Sequence, residues 1–159
     1  MFSGTIINDS DIKELITCSK TFRTAPSKPM RVNKNISTRF SVYGEKDTLE
    51  FQIFITHSER MPQDFSLGLM YDNMLLYRCN GFHGTTKAGF YSAKHHAYPH
   101  AHMLSVDDIK NARGRDPSTI IDLTGKYVDE RTAISFFCEE CGIIGYERYF
   151  PVNQLRFDV

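Results

Sequence analysis

Tryptophan is absent from this 159-residue chain, and so is any surplus of charge, since 19 Lys and Arg balance 19 Asp and Glu. A protein gripping nucleic acid through bulk charge carries a basic excess, so any such contact here must come from a local patch. No window reaches the roughly 18 apolar residues of a membrane span, and the opening M-F-S-G-T-I-I-N lacks the charged region and apolar run of a secretory leader. These absences predict a cytoplasmic protein without a membrane partner, whose cysteines Cys18, Cys79, Cys138 and Cys141 stay reduced. Cys138-x-x-Cys141 has no second C-x-x-C to complete a zinc site. It falls at a helix end, not at a helix start where the dipole lowers a thiol pKa, so the pair reads as small buried hydrophobes. Internal repeats and low-complexity segments are also missing.

The length predicts a single domain, 1–159, that buries roughly two-thirds of its unfolded surface without needing a metal or disulfide to fold. Residues 9–22 read as an amphipathic helix, with Asp11 and Glu14 spaced as a capping box and Ile12, Leu15 and Ile16 on one face. Residues 24–35, with Pro26 and Pro29, read as an extended basic arm. Strands follow at 39–43 and 48–56, then at 65–71 and 74–80 around Asp72-Asn73, a two-residue connection that tolerates positive φ. A fifth strand is expected at 98–104, and Pro99 near its start argues for a sheet edge. Ser105 with Asp108 opens a short helix, 129–141 reads as a longer one ending at Gly142, and 146–150 as a closing strand. The fold class is therefore α+β: an antiparallel meander of about five strands, with an N-terminal helix and C-terminal helices packed on one face.

The chemistry concentrates between Arg78 and His102, where R-C-N-G-F-H-G leads through a loop to H-H-A-Y-P-H-A-H. Five of the six histidines lie here, His83, His95, His96, His100 and His102, beside Arg78, Asn80, Tyr91 and Tyr98. Imidazole serves as acid, base or metal ligand near neutral pH, so such clustering points to catalysis or a metal. On a strand, Tyr98, His100 and His102 share one face while Pro99, Ala101 and Met103 share the other. His57 stands apart at a strand end and reads as structural.

Three readings follow. In the first, which needs no cofactor, His100 and His102 act as an acid/base pair in phosphodiester cleavage and Arg78 stabilises the phosphorane, with His83, His95 or His96 in support. Asn80, Tyr91 and Tyr98 then contact substrate, and the basic stretch 20–39 (Lys20, Arg23, Lys28, Arg31, Lys34 and Arg39, with no acid among them) holds phosphates through Lys28, Arg31 and Lys34. In the second, His95, His100 and His102 ligate zinc or iron. In the third there is no catalysis: the aromatic and histidine surface docks on a protein, for instance a phage product inhibiting a host defence complex. An edge strand leaves room for a homodimer.

The combination L-x-R-x-N-G-x-H followed by H-H-x-x-P-H-x-H resembles small bacterial and phage proteins with an R-x-[DN]-G-x-H and P-H-x-H signature, similar to the TumE-like toxins of toxin–antitoxin pairs. The similarity spans residues 49–104 and the terminal helix near Cys141. It implies a toxin-like ribonuclease whose partners are RNA or an antitoxin, and it implicates Arg78, Asn80, His83, His95, His96, His100 and His102. The chain departs from those proteins at Asn80, where they often carry Asp.

Overall fold

The computed structural model describes Phe2 and residues 4–44, 47–82 and 94–150; His83 and Tyr91 lie outside the described residues. It is an α+β fold built on one antiparallel sheet. Among the described residues the strands are β1 (Lys20–Thr21), β2 (Met30–Val32), β3 (Asn35–Gly44), β4 (Leu49–Ser58), β5 (Phe65–Tyr71), β6 (Met74–Asn80), β7 (His100–Met103) and β8 (Thr119–Asp122). The helices are α1 (Asp9–Thr17), α2 (Val106–Lys110) and α3 (Glu130–Glu140), with 3-10 turns at Lys94–Ala97 and Tyr146–Arg148. The sheet order is β1-β3-β4-β5-β6-β7-β8, and β2 also pairs with β3. None of these helices is long and apolar enough to cross a membrane.

Local chemistry explains most elements. Asp72 and Asn73 take positive φ, 48° and 62°, and close the β5–β6 hairpin as their side chains allow. Each helix opens on a reciprocal capping box: Asn8 with Asp11, Ser105 with Asp108, Asp129 with Thr132. The box of α1 therefore starts one turn earlier than the Asp11–Glu14 spacing suggests.

The sheet is larger than a five-stranded meander. Residues 119–122, which carry no strong apolar alternation, form β8 along the far side of β7, so β7 is an interior strand despite Pro99. Proline lacks only an N–H; its carbonyl still accepts from Leu123 N at 2.9 Å. Part of the basic arm becomes β2, turned back on β3 through Asn33 at φ 58°. The closing strand expected at 146–150 is instead a 3-10 turn entered through Gly145 at φ 83°.

The pleat gives the sheet two unlike faces. Phe40, Val42, Phe51, Ile53, Ile55, Leu67, Leu69, Tyr77, Cys79 and Ala101 face a core completed by Ile12, Leu15 and Ile16 of α1 and Ala133, Ile134 and Phe137 of α3. On the opposite face, register aligns Ser37, Thr56, Ser66, Asn80, His100 and Asp122 in one polar row across six strands. The adjacent row runs Arg39, Phe54, Gly68, Arg78, His102 and Ile120. Gly68 is required there, because a Cβ would stand 2.2 Å from the Phe54 ring.

Helix α1 stops at Thr17 because Lys20 leaves it for β1. The Lys20 side chain is 0% exposed, and its ammonium donates to the carbonyls of Ile16 (2.7 Å), Cys18 (2.9 Å) and Cys141 (2.7 Å). It thereby satisfies carbonyls at the ends of α1 and α3 while lying 4.6 Å from the Phe51 ring centroid. Gly142 completes this junction at φ 65°, where a Cβ would meet the Cys18 carbonyl oxygen at 2.5 Å. Lys20→Met leaves those carbonyls without their donor and is expected to lower unfolding free energy by about 3 kcal/mol. Urea denaturation reads this directly; a loss below about 1 kcal/mol would show that the buried ammonium is dispensable.

Candidate metal centre

Strand β7 carries His100 and His102 on the polar face, directly opposite Asn80 and Arg78 of β6. The 3-10 turn Lys94–Ala97 lays His95 and His96 over them. Ring centroids lie 5.0 Å apart for His100 and His102, 4.9 Å for His95 and His100, and 5.5 Å for His95 and His102. One ring nitrogen from each of His95, His100 and His102 falls within 4.8 Å of the others. Tetrahedral zinc with three imidazoles needs about 3.3 Å between nitrogens, so the rings must close by an ångström or so around an ion.

Hydrogen bonds assign the tautomers. The Nδ1 of His100 is 2.9 Å from the Tyr98 carbonyl oxygen, and that of His102 is 3.3 Å from the Pro117 carbonyl oxygen. A carbonyl only accepts, so both Nδ1 atoms carry the proton and both Nε2 atoms present lone pairs. The His100 Nε2 accepts from the Asn80 amide at 3.2 Å, and the Asn80 oxygen accepts from Ser66 Oγ at 2.6 Å. An ion at that nitrogen requires the Asn80 amide to turn away. The His102 Nε2 is buried and has no hydrogen-bond partner among the described residues.

Both strand histidines are kept neutral. Burial lowers the His102 pKa to about 4, with the charge of Arg78 acting in the same direction. Burial likewise lowers His100, and His96 is lowered by burial and by His95 and Arg78. Arg78 itself is half-buried, and burial lowers its pKa while the charge of Asp116 opposes the shift.

Arg78, His95, His96 and His102 open into a depression of about 420 Å³ whose far wall is the segment 113–118. From the sequence alone R-D-P-S-T, residues 115–119, reads as a polar linker. In the fold the segment 113–118 supplies the Pro117 carbonyl for His102 and an Arg113–Asp116 ion pair at 2.8 Å. Three further contributors also escaped the sequence reading. Ser66 orients Asn80, and the Tyr127 hydroxyl donates to the Asn80 carbonyl at 2.7 Å and lies 3.3 Å from that of His100, tying the ends of β6 and β7 together. Ile120, cross-strand from His102, closes one side of the depression. Tyr127 had no local signal, and neither had the pairing of Ser66 with Asn80: the Asp72-Asn73 turn alone would set Ser66 opposite Cys79, and a register shift between Leu69 and Met70 brings it to Asn80.

The carboxylates near the cluster are otherwise engaged. Asp122, cross-strand from His100, accepts from the Thr124 amide (2.8 Å) and hydroxyl (2.6 Å), which lowers its pKa. Asp108 is buried, which alone would raise its pKa, yet hydrogen bonds from Ser118 and Ser105 outweigh burial and hold it low. The site is therefore an all-imidazole donor set.

Other expected residues lie elsewhere. Tyr98 packs edge-on to His100 at 6.1 Å and reaches the site mainly through its carbonyl. Lys28, Arg31 and Lys34 belong to the opposite end of the sheet, with β2 five strand spacings, roughly 24 Å, from β7. Arg31 there pairs with Glu59 at 3.0 Å. His57 joins β4 to α3 through Glu130 at 2.7 Å, in keeping with a structural role. Cys138 and Cys141 are buried free thiols, the latter pushed up to about 12 by burial, in keeping with a packing role.

In metal-free protein, the unfolded chain protonates His102 near 6.5 and the folded chain near 4. The unfolded state therefore binds more protons between these values, so the stability held in neutral His102 is complete above about pH 6.5 and drains as pH falls toward 4, by about 3 kcal/mol. His102→Asn keeps a donor for Pro117 but cannot titrate, and denaturation across pH 4–7 should show a shallower slope. An unchanged slope would place the pH dependence elsewhere.

Comparison with protein-family models, with curated proteins and with solved structures returns no match, and the reading of this site stands on its own residues.

Proposed function

We propose that His95, His100 and His102 bind one zinc ion, and that the chain is a metal-dependent hydrolase acting in the adjoining depression. The observation that carries this reading is the buried Nε2 of His102, a lone pair with no donor facing it and its tautomer fixed from behind by Pro117. Leaving such an acceptor unpaired costs about 1–3 kcal/mol, whereas zinc takes neutral imidazole nitrogens held by an Nδ1–H hydrogen bond to a carbonyl. Three imidazoles without a free carboxylate suit zinc better than iron, whose facial sites add a carboxylate. A bound zinc ion polarises substrate oxygens and acidifies water at its remaining position. The depression supplies that position with an approach from solvent.

A second reading, cofactor-free RNA cleavage by His100 and His102 with Arg78, is favoured by the cross-strand placement of Arg78 and His102. It requires one imidazole to enter the reaction protonated. Burial and the neighbouring guanidinium oppose that at neutral pH, so the metal reading is preferred.

Untagged protein titrated with zinc by equilibrium dialysis should take up about one ion per chain, and His102→Asn should weaken binding about 100-fold or more. Absence of zinc binding in wild type would defeat the proposal. RNA cleavage that persists in excess chelator and vanishes in His102→Asn would establish the second reading in its place.

A further inference from the structure

Arg78 gives the centre a substrate class. It lines the same depression as His95, His96 and His102, and its Nε is buried with no hydrogen-bond partner among the described residues. Among the described residues no carboxylate lies within 4.0 Å of it; Asp116, the acid lining the depression, is taken by Arg113 at 2.8 Å. Two arginines thus face one carboxylate, and a divalent ion would add two further positive charges. A half-buried cation that shares its one acid, Asp116, with Arg113 is only partly compensated, and the complement that completes the compensation is an anion.

The shape of the donors narrows the anion. A guanidinium presents a planar fork that engages two oxygens at once. A carboxylate has only two and must divide them between the fork and the ion. A phosphodiester also has only two non-bridging oxygens and must divide them. A phosphomonoester has three: two for the fork and one for the ion.

Resting on the zinc reading above, we infer that this centre binds a phosphomonoester, with the phosphoryl group bridging the ion and the Arg78 guanidinium. The ester oxygen and its organic group then lie in the rest of the depression, which Ile120 and Ser118 also line. The basic residues of β2 and its turn, on the far side of the sheet, take no part.

The test uses full-length, untagged, zinc-loaded protein and three probes by calorimetry: inorganic phosphate, phenyl phosphate and diphenyl phosphate. Phosphate and phenyl phosphate should bind, with the diester weaker by about tenfold or more. Arg78→Lys keeps the charge but loses the fork, and should weaken both phosphate and phenyl phosphate by about tenfold while zinc uptake stays within about twofold, which also reports that the variant is folded. Zinc uptake at one per chain without phosphate binding overturns this inference and leaves the metal centre standing. So does equal phosphate affinity in Arg78→Lys, or a diester that binds as well as the monoester. Failure of wild type to take up zinc overturns both.

Discussion

Because side chains alternate across a strand, the four residues of β7 divide the molecule: Ala101 goes to the helix-covered core, and His100 and His102 go to the other face. Register then does the rest. Pairing with β6 sets Asn80 beside His100 and Arg78 beside His102, and pairing with β8 sets Asp122 and Ile120 on the far side. A slip of one residue would send both imidazoles into the core and Ala101 to the polar face, so the placement of both imidazoles depends on this register. The Tyr127 hydroxyl, on the carbonyls of Asn80 and His100, pins it where β6 and β7 meet.

The polar face of the sheet is not a wet one at this point. His100 is 0% exposed and His102 is 8% exposed, because the turn carrying His95 and His96 covers them and the 113–118 segment closes the side. Burial has two effects that point the same way. It withdraws protons from the strand histidines, and it leaves the His102 lone pair without water to solvate it. Neutral, oriented imidazoles suit ligation of a cation; an acid/base pair needs one of them charged. The same burial surrounds Arg78, whose permanent charge shares Asp116 with Arg113.

Much of this was legible in the sequence because it is local. Asp72-Asn73 specifies its turn by tolerance of positive φ, α3 is announced by Asp129 and closed by Gly142, and His-x-His on a strand must share a face. Spacing put His100 and His102 together, but it left the third imidazole open among His83, His95 and His96. What spacing does not contain is sheet order. Nothing in 119–122 marks it as a strand, since its residues are mostly exposed and earn their place by pairing with β7. Without β8, Pro99 suggested an edge that the fold does not have. The basic run is real as a charge pattern, but the meander carries it away from the histidines, and Lys20 within it is a buried helix-end cap. R-D-P-S-T, residues 115–119, looked like a linker because its contribution is the Pro117 backbone carbonyl, which no side-chain pattern reveals.

X-ray absorption at the zinc edge, on untagged protein loaded with one equivalent of zinc, addresses the central claim most directly. The account predicts three imidazole nitrogens at about 2.0–2.1 Å with one further light scatterer, and loss of that signal in His102→Asn. Sulfur at about 2.3 Å would move the metal to the cysteines, and a zinc shell without imidazole scattering would contradict the site altogether.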